Sequence, residues 1–108
     1  MAKQRPRACG LGPAFEVIGG KWKVLLLWEM HGQARRFGEL KRLVPGISEK
    51  MLIQQLRELE ADGLVSRHAF PEIPPRVEYA LTRLGTSLNQ ALTPLADWGE
   101  RYEKRARP

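Results

Sequence analysis

The segment PGISEKMLIQQLRELEADGLVSR, from Pro45 to Arg67, constrains the fold of this chain more than any other. It reads as a turn, a capped amphipathic helix, a glycine stop and the start of a strand. Pro45 and Gly46 interrupt the preceding element, and the Ser48 hydroxyl can accept from the orphan N–H groups that open the next helix. Leu52, Leu56 and Leu59 recur at helical spacing and share one face. At ~100° per residue, Lys50, Gln54 and Arg57 fall on the opposite face. That face is long, polar and basic, and its amide can reach base edges. It suits a helix lying in a DNA major groove, although an ordinary solvated helix face has the same residue types.

Composition points the same way. A chain of 108 residues makes one small domain with a single core of modest size. Eighteen Lys+Arg against twelve Asp+Glu leave a formal charge of +6. That surplus favours an anionic partner, nucleic acid before an acidic membrane surface. The longest apolar run, Val24 to Trp28, stops at Glu29, far short of the ~20 residues that span a bilayer. Lys3, Arg5 and Arg7 resemble the start of a signal peptide, but no apolar stretch follows them, so a cytoplasmic protein without membrane partners is expected. With Cys9 as the only cysteine there is no internal disulfide, in keeping with a reducing compartment.

Residues 1–8 are basic and proline-containing and are expected to form a flexible arm ahead of one domain over 9–105, with 106–108 as a tail. Ala14, Phe15, Val17 and Ile18 suit a short first helix ended by Gly19-Gly20. Lys21 to Met30 forms a second, closed by Gly32, and Arg35-Arg36-Phe37 a short strand. Phe37, Leu40, Leu43 and Val44 mark a third helix ahead of the Pro45-Gly46 turn, and the fourth runs from Ser48 to Ala61 and stops at Gly63. The period then changes. Leu64, Val65, Arg67 and Ala69 lead into a proline-rich loop at 71–75, after which Arg76 to Leu81 alternate, which predicts a hairpin with a stiff, unpaired tip. Thr82 caps a final helical region reaching about Lys104, where Pro94 either kinks one helix or sits in a second one capped by Thr93. Two helices joined by a short turn and followed by a hairpin make a winged helix-turn-helix, a mainly α fold with a small β-hairpin (α+β).

In this order and at these spacings the chain resembles the HxlR-type family of bacterial transcription regulators. The resemblance rests on Cys9, Ile18-Gly19-Gly20-Lys21-Trp22, Arg36-Phe37, Glu39-Leu40, Pro45-Gly46-Ile47-Ser48, Leu52, Leu56 and Leu59-Glu60. It continues through Gly63-Leu64-Val65, Arg67, Pro75-Arg76-Val77-Glu78-Tyr79, Leu81-Thr82, Gly85 and Trp98, and so covers nearly the whole chain. It implies a homodimer on a pseudo-palindromic operator in double-stranded DNA, usually as a repressor and sometimes as an activator. It also implies, for some members, a sensor of electrophiles or oxidants at a cysteine near the N-terminus. Here that position is Cys9, followed by Gly10 where the resemblance leads one to expect Pro.

Lys50, Gln54 and Arg57 are the candidate base readers, since Arg can bridge guanine O6 and N7 and Gln can pair bidentately with adenine. Arg35, Arg36, Lys41 and Arg42 flank the first helix of the motif and are candidate phosphate contacts, as is Ser48 beyond its capping role. Arg67, His68 and Arg76 in the wing can reach phosphate or a minor groove, or Arg76 can pair with Glu78 or Glu72 and brace the hairpin. Glu49, Glu58 and Glu60 are expected off the DNA face, with Glu60 pairing a nearby cation.

Trp22, Trp28 and Phe37 are expected in the core. Leu84, Leu88, Leu92, Leu95, Trp98 and Tyr102 form an apolar stripe longer than so small a domain can cover. Part is expected to pack inward, while Leu88, Leu92, Leu95, Trp98 and Tyr102, with Phe15 of the first helix, are expected across a dimer axis. His31, His68 and Cys9 are too few and too scattered for a metal site. Gly19-Gly20-Lys21 lacks the first Gly and the Ser/Thr of a phosphate-binding loop, and no nucleophile sits on an activating turn, so neither an enzyme nor a cofactor is expected. Two alternatives stand beside the regulator reading. One is a MarR-like, ligand-responsive regulator, for which the chain has little helix outside the motif. The other is a winged-helix module that binds proteins, for which the fourth helix is too basic.

Overall fold

A computed structural model describes residues 10–106. In chain order the elements are α1 (Leu11–Ile18), α2 (Lys21–Glu29), β1 (Arg35–Arg36), α3 (Phe37–Leu43), α4 (Glu49–Ala61), β2 (Val65–Phe70), β3 (Arg76–Leu81) and α5 (Arg83–Ala106). Helix α4 has both ends sealed by its own sequence. The Ser48 hydroxyl accepts from the Met51 N–H at 3.0 Å. At the other end Gly63 takes φ +76°, and the Leu64 and Gly63 N–H groups return to the carbonyls of Leu59 (2.9 Å) and Glu60 (3.0 Å). That is a Schellman stop, which the left-handed glycine makes inexpensive, and it aims the buried Leu64 back at the core.

Leu52, Leu56 and Leu59 pack with Leu26, Leu27, Met30, Leu40, Val44, Ile47, Leu64 and Val65 into one core. Truncating a buried leucine costs ~2–5 kcal/mol, so three of them on one side fix the rotation of α4 about its axis. The α3–turn–α4 pair is thereby held with its remaining face outward. Gly46 makes the sharp turn at φ +90°, and the Trp22 ring lies 3.8 Å from where a β-carbon there would project.

The expected hairpin is β2–β3, in register from Val65↔Leu81 to Phe70↔Arg76. Strand β1 adds to its open edge, with Arg35 opposite Tyr79 and Arg36 opposite Glu78, so the sheet is antiparallel in the order β1-β3-β2. Thr82 caps α5 by accepting from the Gly85 N–H at 3.1 Å, while its hydroxyl donates to the Gly63 carbonyl at 2.6 Å. One side chain therefore ties the start of α5 to the end of α4. Of the two readings of Pro94, the uninterrupted helix is the one present. Thr93 does not cap a restart, because its hydroxyl donates to the Asn89 carbonyl one turn back at 3.1 Å.

One core expectation needs correction. Trp22 and Phe37 pack against the core, but Trp28 is 40% exposed. Helix α2 is apolar on more than one side: Leu26 and Leu27 are buried inside while Leu25 and Trp28 face outward. The core also takes in two polar side chains, Asn89 and Lys23. Asn89 is buried, and its amide donates to the Leu27 carbonyl at 2.8 Å, serving an acceptor in the last turn of α2. Lys23, also buried, points to α4.

Candidate nucleic-acid interface

With its leucines turned inward, α4 presents Lys50, Gln54 and Arg57 to solvent. Together with Glu49, Ile53 and Glu58 they line a shallow depression along the helix. The expectation that Glu49 and Glu58 lie off this face is therefore corrected: they border it. Among the described residues Glu58, not Glu60, is the carboxylate of α4 paired with a cation. Its Oε1 meets the Lys23 ammonium at 2.6 Å, and its Oε2 accepts from the Gln54 amide at 3.2 Å. The Lys23 hydrogen bond, with the Gln54 bond second, holds the Glu58 carboxyl below its ordinary range. Lys23 escaped sequence reasoning because its partner stands far along the chain. Nothing local distinguishes it from a solvated helix lysine.

The cations around α3 differ in how committed they are. Arg36, Lys41 and Arg42 are exposed. Arg35 is half-buried and its Nε donates to the Glu29 carbonyl at 2.6 Å, so it also serves as a cap at the end of α2. The Arg36 N–H donates to the Glu39 carboxylate at 2.8 Å, opening α3.

In the wing, Arg67 and His68 are exposed. Arg76 takes up the bracing geometry, donating to Glu78 at 2.7 Å and to Glu72 at 2.8 Å. Its guanidinium also lies 3.8 Å from the centre of the Phe70 ring. The Glu72 hydrogen bond is the largest influence raising its pKa. The tip beyond carries a fully exposed Ile73.

The apolar stripe of α5 divides. Leu88, expected at a dimer interface, packs on the protein's own core. Leu92 and Leu95 instead form one wall of a groove whose other wall is Phe15 and Ile18 of α1 with Leu25 and Trp28 of α2. Phe15, Leu95, Trp98 and Tyr102 are each more than half exposed, and the Trp98 and Tyr102 rings stack at 5.3 Å. Cys9, Lys3, Arg5 and Arg7 lie outside the described residues. Among the described residues no His, Cys, Asp and Glu side chains gather as three or more around a possible metal position, and no helix is long and apolar enough to cross a membrane.

Known proteins agree with this geometry. Residues 17–107 match the model of the HxlR-like helix-turn-helix family. The HTH-type transcriptional regulator YkvN of Bacillus subtilis is 51% identical over 98 residues, spanning 91% of this chain and 83% of that protein. A Porphyromonas gingivalis transcriptional regulator described as MarR family superposes with a TM-score of 0.82 at 39% identity, over 92% of this chain and 97% of that one. The reduced form of the redox regulator HypR gives a TM-score of 0.83 at 42% identity, covering 88% and 94% respectively. The first two of these relatives are transcriptional regulators and the third is a redox regulator; they are not enzymes. A family model spanning most of the chain, a winged fold and an outward basic helix face converge: the protein belongs to the HxlR-like helix-turn-helix family of transcription regulators.

Proposed function

We propose that the protein binds operator DNA sequence-specifically as a homodimer on a pseudo-palindromic site, acting as a repressor in the cytoplasm. The observation that carries this reading is the division of α4, whose leucines are locked in the core while Lys50, Gln54 and Arg57 face outward. A helix with side chains is ~10–12 Å across and the major groove ~12 Å wide. In this reading Arg36, Lys41 and Arg42, with Ser48 and the N–H groups at the start of α4, hold the flanking backbone. Arg35 keeps part of its guanidinium for the same task, Arg67 and His68 approach from the wing, and Arg76 keeps the wing rigid.

The dimer is proposed to form along the α1/α5 groove, with Phe15, Leu92, Leu95, Trp98 and Tyr102 against the partner. Support comes from that exposed apolar surface, which water would otherwise cover at a cost of ~25 cal/mol per Å². A response to an oxidant or small electrophile at Cys9 is proposed on two grounds: the nearby cations Lys3, Arg5 and Arg7, which favour the thiolate, and the similarity to HypR, a redox regulator solved in oxidized and reduced forms.

Binding to random duplex DNA as a function of salt tests the core of the reading. Log affinity should fall linearly with log salt. Neutralising Arg36, Lys41 or Arg42 should lower the slope by ~0.9 for each phosphate left without its cation, equally for all sequences. Replacing Arg57 by Ala should instead flatten preference among sequences selected from a random pool. A protein that fails to bind random duplex at low salt is not a DNA-binding regulator.

A further inference from the structure

We propose that Glu58, anchored by the buried ammonium of Lys23, is a positioning residue that presets the Gln54 amide to read adenine. The proposal rests on the reading of α4 as the DNA-facing helix. Its starting point is that a carboxylate only accepts hydrogen bonds. The Gln54 side chain lies one turn from Glu58 and meets its Oε2 at 3.2 Å, so the end of the amide turned to Glu58 is the –NH₂ and not the carbonyl. A primary amide has two N–H donors. Glu58 engages one of them; when that is the N–H anti to the carbonyl, the remaining N–H and the carbonyl oxygen stand side by side. Adenine offers the complement of that donor–acceptor pair in the major groove, with N7 accepting and N6 donating.

The second half of the device is tertiary. A lone glutamate on an exposed helix face would sample rotamers and carry Gln54 with it. Here the Glu58 Oε1 is held at 2.6 Å by Lys23, whose side chain is 10% exposed and which comes from α2, behind α4. The two carboxylate oxygens thus divide their work, one fastened to the core side and one to the reading side chain. The ammonium also balances a negative charge that would otherwise face the phosphates. Among the described residues Lys50 and Arg57 have no hydrogen-bond or ion-pair partner of this kind, so Gln54 is the member of the face that is oriented before DNA arrives. Ordering a side chain in advance removes a cost otherwise met on binding.

The test is base preference, position by position. Duplexes selected from a random pool by the wild-type protein are re-measured with each of the four bases at every position of a half-site, for wild type and for Gln54→Ala, Glu58→Met, Glu58→Gln and Lys23→Met. Gln54→Ala should reduce one adenine preference, about tenfold or more in the wild type, to within about threefold. Glu58→Met, of similar length but unable to accept, should flatten that same position and leave the others intact. Glu58→Gln, which still offers a carbonyl, should restore most of the preference. Lys23→Met should soften the same position. Because Glu58 is 43% exposed, the Glu58 variants test the idea even where Lys23→Met fails to fold.

If Gln54→Ala removes a preference that Glu58→Met keeps, the positioning role is wrong while the DNA-reading face stands. If Glu58→Met weakens all positions alike, Glu58 merely stabilises the helix and the proposal falls. If Gln54→Ala changes no position, reading by Gln54 itself is wrong and the proposal falls with it.

Discussion

Gly85, in the first turn of α5, is the position where a single methyl group should do the most damage. A β-carbon built there collides with the Leu64 carbonyl oxygen and lies 3.1 Å from its carbon and 3.3 Å from Leu81 Cδ2. Leu64 cannot retreat freely. Its carbonyl accepts from the Thr82 N–H at 3.0 Å, and its own N–H closes the stop of α4 on Leu59. Gly85→Ala must therefore push α5 off the α4–β2 junction. Overpacking costs ~1–3 kcal/mol, here at the upper end because the obstacle is backbone. Loss of the Thr82–Leu64 bond adds ~1 kcal/mol, and the better helix propensity of Ala returns ~1 kcal/mol. The net is about 3 kcal/mol, a fall in Tm of roughly 10–20 °C. Gly38→Ala is the matched control. It too sits in a first helical turn, but the nearest obstacle is the flexible Arg42 tip at 3.7 Å, so the propensity gain of up to ~1 kcal/mol should show. Thermal and urea unfolding by circular dichroism at one fixed protein concentration compares the three proteins. If Gly85→Ala unfolds within ~0.5 kcal/mol of wild type, a margin ordinary for surface changes, the junction is not the rigid contact described.

Three further outcomes are expected. Trp98→Ala or Leu95→Ala should move the protein from dimer towards monomer in sedimentation while leaving its far-ultraviolet spectrum intact, and specific affinity should drop although no DNA-facing residue changed. A folded wild-type monomer at micromolar concentration would exclude the α1/α5 interface. Oxidation by diamide should weaken operator binding in wild type and not in Cys9→Ser, and equal responses would dismiss the switch. Glu58 supplies a pH dependence of known sign. Its carboxyl is held low in the folded state, so its stabilisation is present at neutral pH and disappears as pH falls through that lowered value. The stability gap between wild type and Glu58→Gln should accordingly shrink in acid, and a gap independent of pH would mean the Lys23–Glu58 pair does not form in solution.

What the sequence determined by itself was mostly local. The Ser48 cap, the Gly63 stop, the leucine stripe of α4 and the alternation around the 71–75 loop each depend on backbone preferences and spacing within a few residues, and they sufficed to place a winged helix-turn-helix and its outward basic face. The pairing of β1 with β3, the burial of Asn89 against the end of α2, the choice of a continuous α5 through Pro94 and the exposure of Trp28 were decided only by tertiary structure. So were the roles of charged groups. Arg76 reads equally well as a DNA contact or a brace until Phe70, Glu72 and Glu78 are brought around it. Glu58 looks like a spectator until Lys23 arrives from another helix. The physical reason is common to all of these. Helix and turn signals arise from a residue and its near neighbours, whereas the partner of a charge or of an apolar face is set by which distant segments the core brings together.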